Sequence, residues 1–167
     1  MKILLREQAN NFDKGCFGQV FFLDGCAIKV FTRPPENTEY DLEKIDVHGQ
    51  TIRRRHIFNS EVLAYTTALE VEELRTYVSH FRGERIISKV FDIDNNDISD
   101  RFLLDCAYAM DHLQGQAIKC GCNTEKSDPI AFLFRKHGIN AMNDFSFFLD
   151  DSGKVAKIID FAVQEYD

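Results

Sequence analysis

The sequence predicts an α+β fold on three observations. Strand-like segments cluster at 4–31, at 86–110 and at 145–159. Helical spacing of apolar residues is confined to a stretch opening near Asn59 and to a short one over 130–136. The strand pairs close on short polar or glycine turns, as hairpins do.

Residues 4–31 read as three short strands. The last two, 19–23 and 26–31, form a hairpin around the two-residue turn Asp24-Gly25. The stretch 32–37, with Pro34-Pro35, is a loop. Residues 38–56 are highly charged, end in Arg53-Arg54-Arg55-His56, and are expected to cover a surface. A helix follows, capped by Asn59 or Ser60, with Phe58, Val62, Tyr65 and Leu69 at helical spacing. Residues 70–82 continue as a second helix or a loop. Strands are expected at 86–92 and 101–110, joined by the polar turn Asp94-Asn95-Asn96-Asp97. Leu113-Gln114-Gly115 breaks the pattern, as a connector between lobes would. Ser127-Asp128-Pro129 offers a cap and a first-turn proline for a helix over 130–136. A last hairpin joins 145–149 to 155–159 around Asp150-Asp151-Ser152-Gly153.

A chain of 167 residues is one domain or two small lobes. Its 44% hydrophobic content, with 15 Phe, suffices for a packed core. A formal charge of −7 argues against a general nucleic-acid binder, which is usually basic. No stretch is long and apolar enough for a membrane span, and residues 1–7 are too soon charged for a secretory signal. Five cysteines (16, 26, 106, 120 and 122) lack disulfide-framework spacing, which favours a reducing compartment. Cys120-Gly121-Cys122 has no second ligand pair nearby and is not read as a metal site. These features describe a soluble, cytoplasmic protein.

Three segments carry chemistry. Gly15-Cys16-Phe17-Gly18-Gln19-Val20 is a glycine turn leading into a strand, and Cys26-Ala27-Ile28-Lys29-Val30-Phe31 sets a lysine in an apolar strand. Near the end stands Lys157-Ile158-Ile159-Asp160-Phe161-Ala162. Glycines let backbone N–H groups approach phosphate oxygens, a lysine pairs with them, and a carboxylate at a strand end suits Mg²⁺. A lysine between apolar neighbours is costly to bury without an opposite charge. The alternative is an edge-strand lysine reaching to water. Glu61, beside the apolar face of the expected helix, supplies the candidate partner.

These segments resemble the protein-kinase superfamily. Gly15, Phe17, Gly18 and Val20 match its glycine loop, with Asp13 where the first glycine would fall, and Ala27-Ile28-Lys29 matches its lysine strand. Asp160-Phe161-Ala162 resembles its Asp-Phe-Gly element, with Ala162 in the glycine place. The resemblance implies a minimal protein kinase-like fold. An N-terminal antiparallel sheet with one main helix would occupy 1–112, and a strongly reduced C-terminal lobe 113–167. It implies ATP and Mg²⁺ as cofactors, with Lys29 on the phosphates, Glu61 bracing Lys29 and Asp160 on the metal. The segment from Ala107 to Gly115 would be the hinge strand, with Met110, Asp111 and His112 at the adenine.

The catalytic loop departs from the pattern. With His137-Gly138-Ile139 read as the His-x-Asp element, Ile139 replaces the base and Asp144 takes the Asn place. With 134–139 read instead as the preceding helix end, Asn143 takes the base position, Asp144 lies beside it, and Ser146 stands where the metal-binding Asn would be. Asp144 is the only carboxylate in 137–149 and is the candidate for acid/base or metal work. The chain ends at Asp167, leaving no room for an activation segment or a large helical lobe; this resembles the minimal kinases of bacterial effectors. The implied activity is phosphorylation of a protein hydroxyl, Ser/Thr favoured, in the cytoplasm (a host cell's, for a secreted effector). The partner is a protein substrate, with no nucleic acid and no membrane, and the oligomeric state is open. The alternative is a pseudokinase acting as a nucleotide- or partner-binding module. A small-molecule kinase of the aminoglycoside-phosphotransferase sort would need a helical substrate lobe for which the length is lacking.

Overall fold

The computed structural model describes residues 2–9, 17–34 and 47–161. These residues form an α+β fold. Its elements are β1 (Ile3–Arg6), β2 (Gly18–Leu23), β3 (Cys26–Thr32), α1 (Val47–Glu70), α2 (Glu72–Arg75), β4 (Phe81–Arg85), β5 (Ile87–Phe91), β6 (Phe102–Asp111), β7 (Ile118–Lys119), α3 (Thr124–Lys136), β8 (Ser146–Leu149) and β9 (Val155–Ile159). The chain divides into two compact units, one of Met1–Phe58 and Arg82–Met110, the other of Asn59–Phe81 and Asp111–Asp167. No helix among the described residues is long and apolar enough to cross a membrane.

In the first unit, β1 and β5 form a parallel pair, and a four-stranded sheet runs in the order β2-β3-β6-β4. The β2–β3 hairpin forms where its turn chemistry dictates. Asp24 and Gly25 take φ of 50° and 75°, the positive values a two-residue turn needs, and the register runs from Leu23↔Cys26 to Gly18↔Phe31. Alternation then sends Phe21, Ile28 and Val30 to one face. There they join Ala107 and Ala109 of β6 and Leu5, Ile87, Val90, Ile98 and Phe102 in one buried cluster.

The opposite face receives the first part of α1. Phe58 meets Phe31 edge-on at 5.6 Å and stacks with Tyr108 at 6.5 Å between ring centroids. Arg54, only 7% exposed, donates to the Thr32 carbonyl at 3.0 Å, the Thr32 hydroxyl at 2.6 Å and the Phe17 carbonyl at 3.4 Å. Arg55 grips both carboxylate oxygens of Asp105, at 2.7 and 3.1 Å, and touches Cys106 Sγ at 3.2 Å. Burial pushes the Cys106 thiol up to about 11, so this residue behaves as a small apolar filler.

Two expectations are corrected here. The helix opens at Val47, not at Asn59 or Ser60, and both of those residues lie inside its 24-residue span. Its buried positions are Arg54, Ile57, Phe58, Glu61, Ala64, Tyr65 and Ala68, a regular helical stripe. Because that stripe contains an arginine and a glutamate, the apolar pattern alone starts too late. Of the arginines expected to cover a surface, Arg55 is exposed while Arg54 is buried, and both fasten α1 to the sheet.

In the second unit, β7, β8 and β9 form a three-stranded sheet, antiparallel throughout. Phe161 packs against Tyr65 at 4.5 Å and Phe134 at 5.3 Å, and Leu74, Phe147 and Ile158 are also fully buried. The stretch after α2 pairs with β9. Ile158 N–H donates to Tyr77 O at 2.7 Å, and Lys157 Nζ donates to the carbonyls of Thr76 at 2.8 Å and Val78 at 3.1 Å. Residues 70–82 are thus one helical turn followed by extended chain. The expected helix over 130–136 is the second half of α3, which begins at Thr124 with Asn123 as its cap, accepting from Lys126 N at 3.3 Å. Ser127 is no cap; it is buried and its hydroxyl donates to Cys120 O at 2.9 Å, and Pro129 lies within the helix.

Candidate functional site

The first unit gathers one group of candidates on the α1 face of its sheet. In the β2–β3 register Val20 lies opposite Lys29 and Phe22 opposite Ala27, so Gly18, Val20, Ala27 and Lys29 share this face. Met110 of β6 joins them, two residues beyond Tyr108 on the same side. Val20, Ala27 and Lys29 are half-buried, and Met110 is buried. β3 lies between β2 and β6, so Lys29 is not an edge-strand lysine.

Gly18 shapes the course of the lysine. A Cβ at position 18 would lie 3.4 Å from both Cγ and Cε of Lys29 and 3.0 Å from the Val30 carbonyl oxygen. The lysine stem therefore crosses the space that a side chain at 18 would fill, with its ammonium 5.4 Å from the Phe31 ring centroid. Phe17, the residue before Gly18, lies beneath the guanidinium groups of Arg53 at 5.8 Å and Arg54 at 5.7 Å. Gly15 and Asp13 lie outside the described residues. A cation beside a glycine with apolar Val20 and Ala27 along the same face can hold an anionic group joined to a flat apolar one.

Glu61 belongs to the second unit and is completely buried. Asp111 ends β6 with both backbone groups engaged: its N–H donates to His80 O at 3.0 Å, and its carbonyl accepts from Ser79 Oγ at 2.9 Å. His112 is exposed. Of the expected hinge residues, Met110 lies on the lysine face.

The second unit brings together the loop candidates. Ser146 opens β8 and is buried, pairing with Lys119 of β7 on one side and Ile159 of β9 on the other. Asp160 follows Ile159 directly and takes φ of 55°, a left-handed conformation uncommon outside glycine and concentrated at functional turns. Asp144 is exposed and paired with Lys119, Nζ to Oδ1 at 3.0 Å. Asn143 is held by its side chain, its Oδ1 accepting from Arg135 Nη2 at 2.9 Å. Burial works against the Lys119 ammonium, yet the bond to Asp144 and the charges of Asp144, Asp160 and Cys120 outweigh it and raise its pKa. Lys119 thus senses both candidate carboxylates.

No group of three or more His, Cys, Asp or Glu able to hold a metal occurs among the described residues. Asp160 stands one residue beyond the rung in which Ser146 faces Ile159.

Two contributors escaped the sequence reading. Lys119 stands in a polar connector with no motif around it, and its partner Asp144 is distant in the chain. The Arg54 contacts with Phe17 and Thr32 were hidden in what reads as a charged surface stretch. No family model, curated protein or solved structure matches the chain.

Proposed function

We propose that the chain is a minimal ATP- and Mg²⁺-dependent phosphotransferase of protein kinase-like fold, acting on a protein hydroxyl with Ser/Thr favoured. Lys29 pairs with the nucleotide phosphates, which Gly18 and the glycine turn admit. Val20, Ala27 and Met110 line the adenine. Asp160 with Ser146 binds the metal, and Asp144, flanked by Asn143, orients the acceptor hydroxyl. The single observation that carries this reading is the passage of the Lys29 stem across Gly18 on a half-buried sheet face. Such a lysine is expensive to keep from water unless it serves an anion or a carboxylate. Phosphoryl transfer relies on positioning and charge neutralisation, so a departure in the catalytic loop does not abolish it. The protein would then act in a cytoplasm, on a protein partner.

A second reading, a pseudokinase that holds nucleotide without chemistry, draws on the loop. Asp144 is ion-paired with Lys119, and Asn143 is tied to Arg135. Incubation with labelled ATP and Mg²⁺, with and without cell lysate, separates the two. Label on protein that disappears in Lys29→Ala and Asp160→Ala supports transfer. Thermal stabilisation by Mg·ATP without label supports the binding module, and neither effect removes nucleotide from the account.

A further inference from the structure

The strand β7 lies outside every segment that suggested nucleotide chemistry, yet it brings a cation to the loop candidates. Lys119, Ser146 and Ile159 form one rung across β7, β8 and β9, and the adjacent rung is Ile118, Phe147 and Ile158. Phe147 and Ile158 are fully buried, so alternation turns that rung to the core and the Lys119 rung to the opposite face. Asp160 follows the β9 end of the Lys119 rung, and Asp144 stands two residues before its Ser146.

We propose, building on the phosphotransferase reading, that Lys119 is a catalytic residue whose ammonium contacts the phosphoryl group in transfer while holding Asp144 toward the acceptor. An ammonium has three donors, and among the described residues Asp144 is the one hydrogen-bond acceptor on Lys119 Nζ. The remaining donors stand beside Asp144, on the rung that Asp160 follows, where a phosphoryl group and its metal ion would place negative oxygens. The Lys119 and Asp144 side chains are 58% and 72% exposed, and pairs so exposed add little to fold stability. Stability therefore gives no account of why a two-residue strand presents this lysine to that aspartate.

In the step itself, the acceptor oxygen forms a bond to the γ-phosphorus as the bond from that phosphorus to the β–γ bridging oxygen breaks. ADP leaves with the electron pair, and the acceptor proton passes to the Asp144 carboxylate. Lys119 keeps its proton and opposes the charge on the γ-phosphoryl oxygens.

The test uses the full chain with Mg·ATP, measuring turnover as phosphate release to water and as self-labelling. Lys119→Met is expected to lower kcat about 100-fold, the scale of losing one transition-state donor, with KM for ATP nearly unchanged. Lys119→Arg should restore most of the rate, and both variants should melt like the parent because the side chain is exposed. In an Asp144→Asn background, Lys119→Met should still cost further rate. Full turnover by Lys119→Met, or no further loss in that background, overturns the direct contact and leaves the phosphotransferase reading standing. A parent protein that neither releases phosphate nor labels itself overturns that reading, and the role of Lys119 with it.

Discussion

Gly18 and Lys29 occupy one shared space: a methyl group at 18 would press on the lysine Cγ and Cε at 3.4 Å and on the Val30 carbonyl at 3.0 Å. The glycine is thereby tied to the path of one side chain. Where the carbonyl cannot move, the flexible lysine must.

Gly18→Ala should therefore displace Lys29 more than it disturbs the fold. Overpacking of this kind costs about 1–3 kcal/mol. Mg·ATP affinity is expected to fall about tenfold, equivalent to roughly 1.4 kcal/mol, with a modest drop in Tm. Calorimetry of binding beside a thermal melt checks it; an unchanged affinity would show that the lysine does not depend on this glycine.

Arg54 is a test of how α1 is fastened. Arg54→Met leaves the Thr32 and Phe17 carbonyls without that donor while keeping much of the packed stem. Loss of hydrogen bonds from a buried charged donor is worth about 1.5–3 kcal/mol. Arg55→Ala, which breaks a more exposed pair with Asp105, should cost about 1 kcal/mol or less. Urea unfolding of the two variants should rank them in that order.

Lys157 fastens β9 to the chain after α2 through the Thr76 and Val78 carbonyls. Lys157→Met should destabilise by about 1–2 kcal/mol, and amide exchange should quicken at Ile158, whose N–H bonds to Tyr77 O. Unchanged exchange there would mean that the strand pairing holds without the lysine.

Acid should act on Asp97. The hydrogen bond from Lys89, followed by those from Ser99, holds its carboxyl down to about 2, against an ordinary value of 3.8. The folded pKa lies below the unfolded one, so the unfolded chain takes up the proton first as pH falls. The stabilising contribution is complete above about pH 4 and disappears between about pH 4 and 2. Melts across that range should show a smaller loss for Asp97→Asn than for the parent protein.

Parts of this architecture were legible in the residues. The β2–β3 hairpin was, because Asp24-Gly25 can adopt positive φ and the strands around it are apolar enough to pair. The last hairpin was readable on similar grounds. The start of α1 was not, since Arg54 and Glu61 sit on its buried stripe and break the apolar periodicity. β4 is Phe-Arg-Gly-Glu-Arg, half-exposed and charged, with no alternation to announce a strand. The start of α3 was misplaced because Ser127 looks like a cap, whereas Asn123 performs that role and Ser127 bonds to Cys120. Of the candidate site, residues carried by motif were readable, while the pairing of Lys119 with Asp144 arises from strand register and leaves no local trace.

The proposed function requires that Mg·ATP binding depend on both Lys29 and Asp160. A double-mutant cycle on Mg·ATP affinity tests it most directly, using Lys29→Ala, Asp160→Ala and the double variant, each checked by melting. Each single change is expected to weaken binding, with the two effects coupled by about 1 kcal/mol or more. Strictly additive effects, or binding indifferent to either residue, would contradict it.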